Sequence, residues 1–410
     1  MKGKILRDEV FGSTVYDRKK LIHSFLNHEQ TAETLVKDPG IEYWEADTTG
    51  LRKDIIYSPI RIYYELTTGC NLRCRTCFNS SGNPLNDELT TSEVLKLLDG
   101  LRKEHVFDIR FTGGELTTKE GWDEILQHAM DLGFGVSMNT NGVYDDPKNL
   151  EKLIKIQPHQ VTLSFDGLKE THDYIRGKGN FDRSFQSLLT LYNAGVPTRT
   201  NTLITHEVAD RVEDMIQFFE PYVSDMAFFN MRLVGRARNI QSRGISYSEL
   251  REFNQKMSKI VPNHPTIRIL YREDGENLNG LQEYEKVGLS TGRCPGGLTR
   301  FVMTSEGNYH ACGYLPYINP ESLVPGSFLG NAKSDGFAVI KTWRSSSSLE
   351  EYRKLNSKTT QECFSCAVYD SECPGVCLAD ELNKYNFEGG VNPYCIEGKN
   401  LEFLHLRTKK

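Results

Sequence analysis

Short apolar runs alternate with longer amphipathic segments through the middle of the chain. The runs are rich in β-branched and aromatic residues and predict strands, whereas the segments between them have apolar residues at helical spacing. The predicted strands are 60–66, 108–113, 135–141, 160–167, 198–205 and 226–233. The predicted helices are 91–104, 119–132, 147–156, 181–194, 207–220 and 246–261.

Helix signals support this alternation. Thr90 precedes Glu93 as a helix start would require, and Gly133 and Gly195 stand where helices should stop. Six strand-helix units in series predict an α/β fold with a parallel sheet that forms a barrel or partial barrel. In such a fold the active-site groups gather at the carboxyl ends of the strands.

The alternation of predicted strands and helices is confined to the middle of the chain and so divides the chain into three parts. A central domain covers residues 59–285, after an N-terminal segment of residues 1–58 and before a C-terminal domain of residues 286–410. The N-terminal segment predicts a short hairpin at 11–20 and an amphipathic stretch, and it either caps the barrel or recognises a peptide. The C-terminal domain is rich in Gly, Pro, Asn and Ser, so we expect it to be loop-rich.

Composition narrows the function classes. With 410 residues, of which 38% are hydrophobic, the chain is long enough for a sizeable core. Its formal charge of −6 gives no attraction to nucleic acid or anionic lipid. The sequence has neither a secretory signal nor an apolar run that would span a bilayer, so we expect a cytoplasmic protein with no membrane partner.

Ten cysteines in such a chain favour metal ligation over disulfides, because the cytosol keeps thiols reduced. Three of them lie at Cys70, Cys74 and Cys77, and the other seven follow residue 293. This division predicts two separate metal-binding regions.

The first group has the spacing C-x3-C-x2-C and follows the first predicted strand. Three thiolates on one loop can hold three corners of a cubic iron-sulfur cluster and leave its fourth iron open. Zinc is the competing metal, but structural zinc normally has four protein ligands, and no fourth Cys or His follows in this loop. The loop resembles that of the radical S-adenosylmethionine (SAM) superfamily, in which the open iron binds SAM.

Two further motifs extend the resemblance, namely FTGGELTT and LSFDGLKETHDYIRGKGNFDRSF. The fold it implies is a partial (β/α)6 TIM-like radical SAM barrel. The chemistry it implies is reductive cleavage of SAM to a 5'-deoxyadenosyl radical that abstracts a substrate hydrogen. The SAM contacts that the resemblance implies are Thr76, Gly113, Gly114, Glu115, Asn139, Ser164, Arg176 and Leu203. Thr76 departs from the family, which usually has an aromatic residue there, and Phe78 is an alternative cover for the adenine.

The C-terminal cysteines resemble the SPASM domain, a loop-rich extension with two auxiliary iron-sulfur clusters, apart from one extra residue between Cys366 and Cys373. With the first cluster this gives three 4Fe-4S clusters. The resemblance implies that one auxiliary cluster is held by Cys363, Cys366, Cys373 and Cys395, and the other by Cys294, Cys312 and Cys377. The second set leaves either an open iron, which we favour, or a place for another ligand such as His310. Structural zinc sites are the alternative for this region.

Enzymes with both regions mostly modify peptides. We therefore expect a maturase that forms a crosslink, a thioether or an epimer in a ribosomally made precursor peptide. The sulfatase-maturing branch is disfavoured because Gly313 occupies the position of its aspartate. The alternatives are a dehydrogenase or epimerase of a small aminocyclitol or sugar, and a non-catalytic iron-sulfur electron carrier.

The chemistry also requires a low-potential electron donor such as ferredoxin or flavodoxin. The sequence identifies no catalytic base, although Arg232, Arg236, Tyr309 and Tyr314 are candidates to face the substrate.

Overall fold

The computed structural model describes residues 3–271, 284, 286–289, 294–318, 325–357 and 379. These residues form two sheets. The first has four strands in the order β3-β2-β1-β4, with bounds β1 Lys4–Glu9, β2 Gly12–Asp17, β3 Ile22–Asn27 and β4 Glu42–Trp44. Strands β1 to β3 form an antiparallel meander, and helix α1 (His28–Lys37) follows it directly.

The second sheet has ten strands, and its centre is the predicted series of parallel strands. These are β5 (Arg61–Thr67), β6 (Asp108–Gly113), β7 (Gly135–Thr140), β8 (Gln160–Ser164), β9 (Thr198–Ile204) and β10 (Asp225–Asn230). Each strand pairs in parallel with the next, and β11 (Arg268–Leu270) continues the series beyond β10. The partial parallel barrel expected from the sequence is therefore present.

The C-terminal part of the chain adds to the same sheet. Strand β12 (Arg300–Met303) pairs in parallel with β5, and β13 (Asn308–His310) returns antiparallel to β12. Strand β14 (Gly330–Asn331) follows as an edge strand of the sheet over the described residues. The C-terminal domain is thus joined to the barrel by main-chain hydrogen bonds as well as by side-chain packing.

Helices follow most strands, as predicted. They are α2 (Thr91–Lys103), α3 (Trp122–Asp131), α4 (Lys148–Ile156), α5 (Lys169–Arg176), α6 (Asn180–Asn193), α7 (His206–Asp210), α8 (Val212–Phe219) and α9 (Tyr247–Ile260), with the C-terminal helices α10 (Leu315–Ile318), α11 (Val339–Ser345) and α12 (Ser347–Ser357). Helix α2 begins with the expected capping box of Thr90 and Glu93.

Two helix predictions need correction. The single helix expected at 207–220 is two helices, because Arg211 lies between them with φ −110° and ψ 24°, outside helical values. Helix α5 was not predicted from the sequence, because its buried residues are only His172 and Ile175, too few to form an apolar stripe.

Strands β5 to β8 are buried on both faces, and the two faces differ in chemistry. Ile62, Ile109 and Val136 are fully buried apolar residues of the main core. Residues that alternate with them are buried but polar: Arg61 Nε lies 2.6 Å from Asp108 Oδ1, and Arg110 Nε donates to Ser137 Oγ at 3.0 Å. Apolar core and polar interior therefore alternate along each strand, as the period of two requires.

The N-terminal sheet packs against the amino ends of these strands. Tyr16 donates a hydrogen bond to Asp108, Arg61 Nη2 donates to Leu21 O at 3.0 Å, and Arg18 Nε donates to Gly133 O at 2.7 Å. Its position is opposite to the carboxyl rim, where the predicted functional residues lie. Over the residues described here, no helix is long and apolar enough to cross a membrane.

Candidate functional site

The three-cysteine loop follows β5 and is fixed at its base by the main chain. Cys70 N donates to Gly82 O at 2.8 Å, and Gly82 N donates to Thr68 O at 2.9 Å. These bonds close a loop in which Cys74 is buried and Cys70 and Cys77 are partly exposed. The sulfur-bearing side chains pack together around Leu72 and Val143, so the structure brings the three predicted ligands to one place.

The chemistry of this donor set fits a cluster. Burial raises the pKa of Cys70 to about 11, and Glu115, Cys74 and Cys77 contribute to the shift as nearby like charges. Burial also raises the pKa of Cys74. Since neighbouring thiolates repel one another here, a positively charged inorganic group would stabilise them. All five cysteines within the described ranges are free of disulfides.

The number of thiols argues against structural zinc. Structural zinc normally has four protein ligands, and this loop offers three thiolates. A cubic iron-sulfur cluster can be held by three cysteines with its fourth iron left open.

Hydrogen-bond donors point at the sulfurs. Leu72 N lies 3.4 Å from Cys70 Sγ, Asn141 Nδ2 lies 4.0 Å from the same sulfur, and Arg176 Nη1 lies 3.9 Å from Cys74 Sγ. Hydrogen bonds to cluster sulfurs are one of the means by which proteins set cluster potential. These residues come from the loop itself, from the position after strand β7 and from the end of helix α5.

The Gly113-Gly114-Glu115 turn supports the loop from beneath. Gly114 N donates to Thr67 O at 2.7 Å, and Glu115 N donates to Gly69 O at 2.8 Å. A Cβ atom on Gly113 would overlap Thr67 O, and one on Gly114 would overlap Gly69 O. The glycines are thus required for close contact between two main-chain segments, a reason that the motif alone did not reveal.

Glu115 is fully buried, and its carboxylate connects two strand ends. One oxygen accepts from Thr140 Oγ1 and from Asn141 N, both at 2.8 Å, and the other accepts from Thr117 Oγ1 at 3.0 Å. Burial raises the pKa of this carboxyl group. In this structure the side chain fixes the rim, and its contact with the cofactor stays a prediction.

Arg176 is held by a buried ion pair. Its Nε donates to Asp166 Oδ2 at 2.8 Å, and Asp166 Oδ1 accepts from Leu203 N at 3.2 Å. Burial acts to lower the pKa of Arg176, but Asp166 and Cys74 outweigh it and the pKa is raised, so the guanidinium stays charged. Asp166 therefore positions both Arg176 and Leu203 at the same rim.

The other predicted SAM contacts also lie on the carboxyl side of the sheet. Asn139 is near the end of β7, Ser164 ends β8, and Thr76 is buried within the cysteine loop. Asn139 Oδ1 is buried and has no hydrogen-bond partner among the described residues. An unpaired buried acceptor is costly, and a ligand in the barrel mouth would pair it.

Phe78, the alternative cover for the adenine, packs against two tyrosines of the C-terminal part of the chain. Its ring packs edge-on against Tyr314 and Tyr317, each with a centroid distance of 5.6 Å. The side chain thus joins the cysteine loop to the C-terminal part of the chain, and its contact with the adenine stays a prediction.

The residues considered as substrate contacts differ in their burial and in the groups that they bind. Tyr309 is fully buried in the main core and is not available to a substrate. Arg236 donates from Nε to Cys74 O at 2.8 Å and from Nη1 to Ser81 O at 2.9 Å, so it anchors the cysteine loop. Arg232 lies over the ring of Tyr314 at 4.7 Å.

Two of the seven C-terminal cysteines fall within the described residues. Gly296 N lies 3.3 Å from Cys294 Sγ, and Tyr314 N lies 3.5 Å from Cys312 Sγ. Burial raises the pKa of Cys312 to about 12, and Cys294 adds to the shift as a nearby like charge. A Cβ atom on Gly296 would lie 3.5 Å from Cys294 Sγ and 2.8 Å from Ala311 O, so the two cysteine segments are adjacent. The predicted ligands Cys363, Cys366, Cys373, Cys377 and Cys395 lie outside the described residues.

Comparison with known proteins gives a family match, similar maturases and a similar solved structure. Residues 64–219 match the family model of the Radical SAM superfamily. The mycofactocin maturase of Mycolicibacterium smegmatis is 28% identical over 345 residues, which cover 83% of each chain. The sporulation killing factor maturation protein of Bacillus subtilis is 27% identical over 327 residues, or 76% of this chain and 73% of that relative. The crystal structure of Streptococcus suis SuiB bound to S-adenosylmethionine has a TM-score of 0.74 at 14% identity, covering 98% of this chain and 99% of that one.

The family match and the similar maturases indicate an enzyme that uses an iron-sulfur cluster and S-adenosylmethionine. Residues 64–219 form a radical SAM domain.

Proposed function

We propose that the protein is a maturase that abstracts hydrogen from a ribosomally synthesised precursor peptide and leaves a crosslink, a thioether or an epimerised residue. The observation that carries this proposal is the similarity to two maturases, of mycofactocin and of a sporulation killing factor, over at least three quarters of the chain. SuiB, which shares the fold across nearly the whole chain, has also been crystallised with its precursor peptide SuiA.

The first cluster would be held by Cys70, Cys74 and Cys77. The residues that would surround SAM are Thr76, Gly113, Gly114, Glu115, Asn139, Ser164, Arg176 and Leu203. When bound, cluster and SAM together supply a 5'-deoxyadenosyl radical. The chain's own part is to hold the loop, through Arg236 and the Gly113-Gly114 turn, and to direct the charged Arg176 toward the rim. The buried ion pair with Asp166 keeps that guanidinium in one orientation.

The seven C-terminal cysteines would hold two auxiliary clusters, one of them with three thiolates and an open iron. The adjacent positions of the Cys294 and Cys312 segments around Gly296 support their sharing one cluster. His310 is a less suitable fourth ligand, because the cavity that it lines includes neither Cys294 nor Cys312. A substrate cysteine is a natural occupant of the open position.

The N-terminal sheet is a candidate site for the precursor's leader. Strand β3 is an edge strand of this sheet. Helix α1 follows β3 directly and packs on the same sheet, where Thr31 Oγ1 lies 2.8 Å from Ser13 Oγ of β2. Ile22 and Val36 are exposed apolar residues on the strand and the helix, at 43% and 79% of full exposure. An extended peptide that pairs with such an edge gains main-chain hydrogen bonds and apolar contacts together.

The electron donor would be an acidic carrier such as ferredoxin or flavodoxin in the cytoplasm. Arg73 and Arg75 are exposed on the cysteine loop and bind main-chain carbonyls: Arg73 Nη1 lies 2.6 Å from Cys70 O, and Arg75 Nε lies 3.0 Å from Tyr174 O. In a chain with net charge −6, two guanidiniums beside the first cluster give an acidic carrier a local surface on which to dock.

Anaerobic reconstitution tests the proposal. We expect about twelve irons per chain, falling to about eight when Cys70, Cys74 and Cys77 are all replaced by Ala, with loss of 5'-deoxyadenosine formation under dithionite. Incubation with peptides encoded beside the gene should change the mass of one of them. About four irons in the unaltered protein would contradict the auxiliary clusters, and 5'-deoxyadenosine without any modified peptide would contradict the maturase.

A further inference from the structure

The interior of the parallel barrel is an open space lined by alternate residues of its strands. One inward residue on each of five strands is partly exposed, although the residue before it is buried: these are Tyr63, Thr112, Asn139, Asn201 and Phe229. Each of these strands has a paired strand on both sides, so the exposed surface faces into the barrel rather than out from a sheet edge. The interior therefore has room for part of a ligand.

The amino end of this space is closed by a balanced pair of charges. Arg61 Nε lies 2.6 Å from Asp108 Oδ1, its Nη2 lies 2.9 Å from Oδ2, and Tyr16 donates to the same carboxylate. One guanidinium and one carboxylate thus cancel at the floor of the barrel. Arg110 lies two residues further along β6, on the same side of the strand as Asp108.

Arg110 is a buried cation whose charge is not balanced. The residue is 6% exposed, and its Nε donates to Ser137 Oγ at 3.0 Å, which fixes the plane of the guanidinium. The guanidinium carbon lies 5.4 Å from the centre of the Tyr63 ring. Among the described residues, no carboxylate forms an ion pair with Arg110, and its Nη1 and Nη2 donate no hydrogen bond. A buried charge without a partner is costly, so this position indicates an anion that binds there.

Arg110 lies one layer below a predicted SAM contact. Thr112 is the next residue on the same side of β6, and its Oγ1 lies 3.5 Å from Asn139 Nδ2. Two residues of a strand rise about 7 Å, so a side chain that enters the barrel past Asn139 would reach Arg110. Neither Nη1 nor Nη2 of Arg110 is fully enclosed by protein, so both can be reached by a ligand.

We propose that Arg110 binds a carboxylate of the peptide substrate, either an acidic side chain or the C-terminus, at the bottom of the barrel interior. A carboxylate has two oxygens that match the two Nη atoms of a guanidinium, and its single negative charge balances the single positive one. A phosphate dianion would exceed that balance. The subsite rests on the proposed function, because it selects which part of a precursor peptide enters the barrel.

Calorimetric titration of the reconstituted full-length protein tests the subsite. Saturating SAM is present, so that a probe cannot bind in place of the SAM carboxylate, and reductant is left out. One acidic probe is N-acetyl-Ala-Ala, with a free carboxyl end, and its neutral twin is N-acetyl-Ala-Ala-amide. The other is N-acetyl-Asp-Ala-amide, and its neutral twin is N-acetyl-Asn-Ala-amide. We expect at least one acid to bind about tenfold more tightly than its twin, and that acid identifies the source of the carboxylate.

Three variants assign the effect to its residue. Arg110→Met removes the charge and should bring acid and twin to equal affinity, whereas Arg110→Lys should keep part of the difference. Arg183→Met, at an exposed arginine on α6, is the control and should keep all of it. Iron content and circular dichroism show that each variant is folded.

Equal affinities of acid and twin in the unaltered protein, no binding of either acid, or a difference that persists in Arg110→Met would overturn the subsite. The first two of these results need no variant, so a substitution that prevents folding leaves the test intact. Arg110-dependent binding without modification of any precursor would retain the subsite and reject the maturase. Modification of a precursor by a protein that binds acids and amides equally would do the reverse.

Discussion

Arg236 donates a hydrogen bond from Nε to the main-chain carbonyl of Cys74 at 2.8 Å, across a separation of 162 residues. Its Nη1 also bonds to Ser81 O, and its main-chain N–H bonds to Cys77 O at 2.9 Å. The segment after β10 thus holds the cysteine loop at three carbonyls. The loop is fixed by the far side of the barrel as well as by its own strand.

The first prediction concerns this anchor. Arg236→Ala removes both side-chain bonds, and we expect the first cluster to lose iron several times faster during exposure to a chelator, since a loosened loop no longer holds its thiolates together. Iron per chain and visible absorbance over time measure the effect. Arg183→Ala, which removes an exposed ion pair with Asp145, is the control and should leave the rate unchanged. Equal rates in the two variants would show that the anchor is dispensable.

The second prediction concerns the buried charge at the amino end of the barrel. Asp108→Asn leaves Arg61 without its partner and weakens the hydrogen bond from Tyr16, so we expect a loss of about 3–5 kcal/mol in the free energy of unfolding. Asp123→Asn disrupts a partly exposed pair with Lys152 and should cost less than about 1 kcal/mol. Denaturant unfolding of both variants measures the difference, and similar losses would contradict the prediction.

The third prediction concerns pH. Burial raises the pKa of Glu65 to about 7, so the folded protein keeps this carboxyl protonated at pH values where the unfolded chain has lost the proton. The resulting stabilisation is complete below pH 4.5 and is lost as pH rises through about 7, a change of about 3 kcal/mol. Glu65→Gln keeps a neutral side chain beside Tyr317 and should flatten the profile of unfolding free energy over that window. An unchanged profile would assign the pH dependence to other groups.

The fourth prediction separates electron delivery from catalysis. Arg75→Glu reverses one charge of the proposed docking surface, and we expect flavodoxin-driven 5'-deoxyadenosine formation to slow about tenfold at low salt. The rate with dithionite, which needs no docking, should not change. Added salt should slow the flavodoxin reaction of the unaltered protein. An equal fall with both reductants would mean that the substitution damages the site itself.

The fifth prediction concerns the β3 edge. Ile22→Asp puts a charge on the exposed apolar surface, and we expect it to weaken binding of the precursor peptide about tenfold or more without changing dithionite-driven SAM cleavage. Fluorescence anisotropy with labelled precursor measures the affinity. Tyr192→Asp serves as the matched exposed control. Full affinity in Ile22→Asp would place the leader elsewhere.

Many features of the fold and of the cysteine site could be predicted from short stretches of sequence. The alternation of apolar runs and helical segments predicted the parallel strands β5 to β10, because both signals depend on residues close together in the chain. The spacing of Cys70, Cys74 and Cys77 predicted their gathering for the same reason. The rim location of Asn139 and Ser164 followed from their place at strand ends.

What local patterns did not reveal are contacts between distant segments. Gly113 and Gly114 were expected to admit a cofactor, yet their lack of side chains also admits the main chain of Thr67 and Gly69. Arg236 was considered for the substrate and instead anchors the loop. Tyr309 was considered for the same role, but it lies on β13 and faces the core that β13 shares with the barrel.

The position of the N-terminal sheet sets a length requirement on any peptide held at β3. That sheet contacts the amino ends of the barrel strands, while the thiols lie beyond their carboxyl ends. Strand β5 alone has seven residues, a rise of about 23 Å. A fully extended peptide advances about 3.3–3.6 Å per residue, so at least about seven residues must separate the leader segment bound at β3 from the residue that is modified. Precursors with a shorter spacer would be bound but left unmodified.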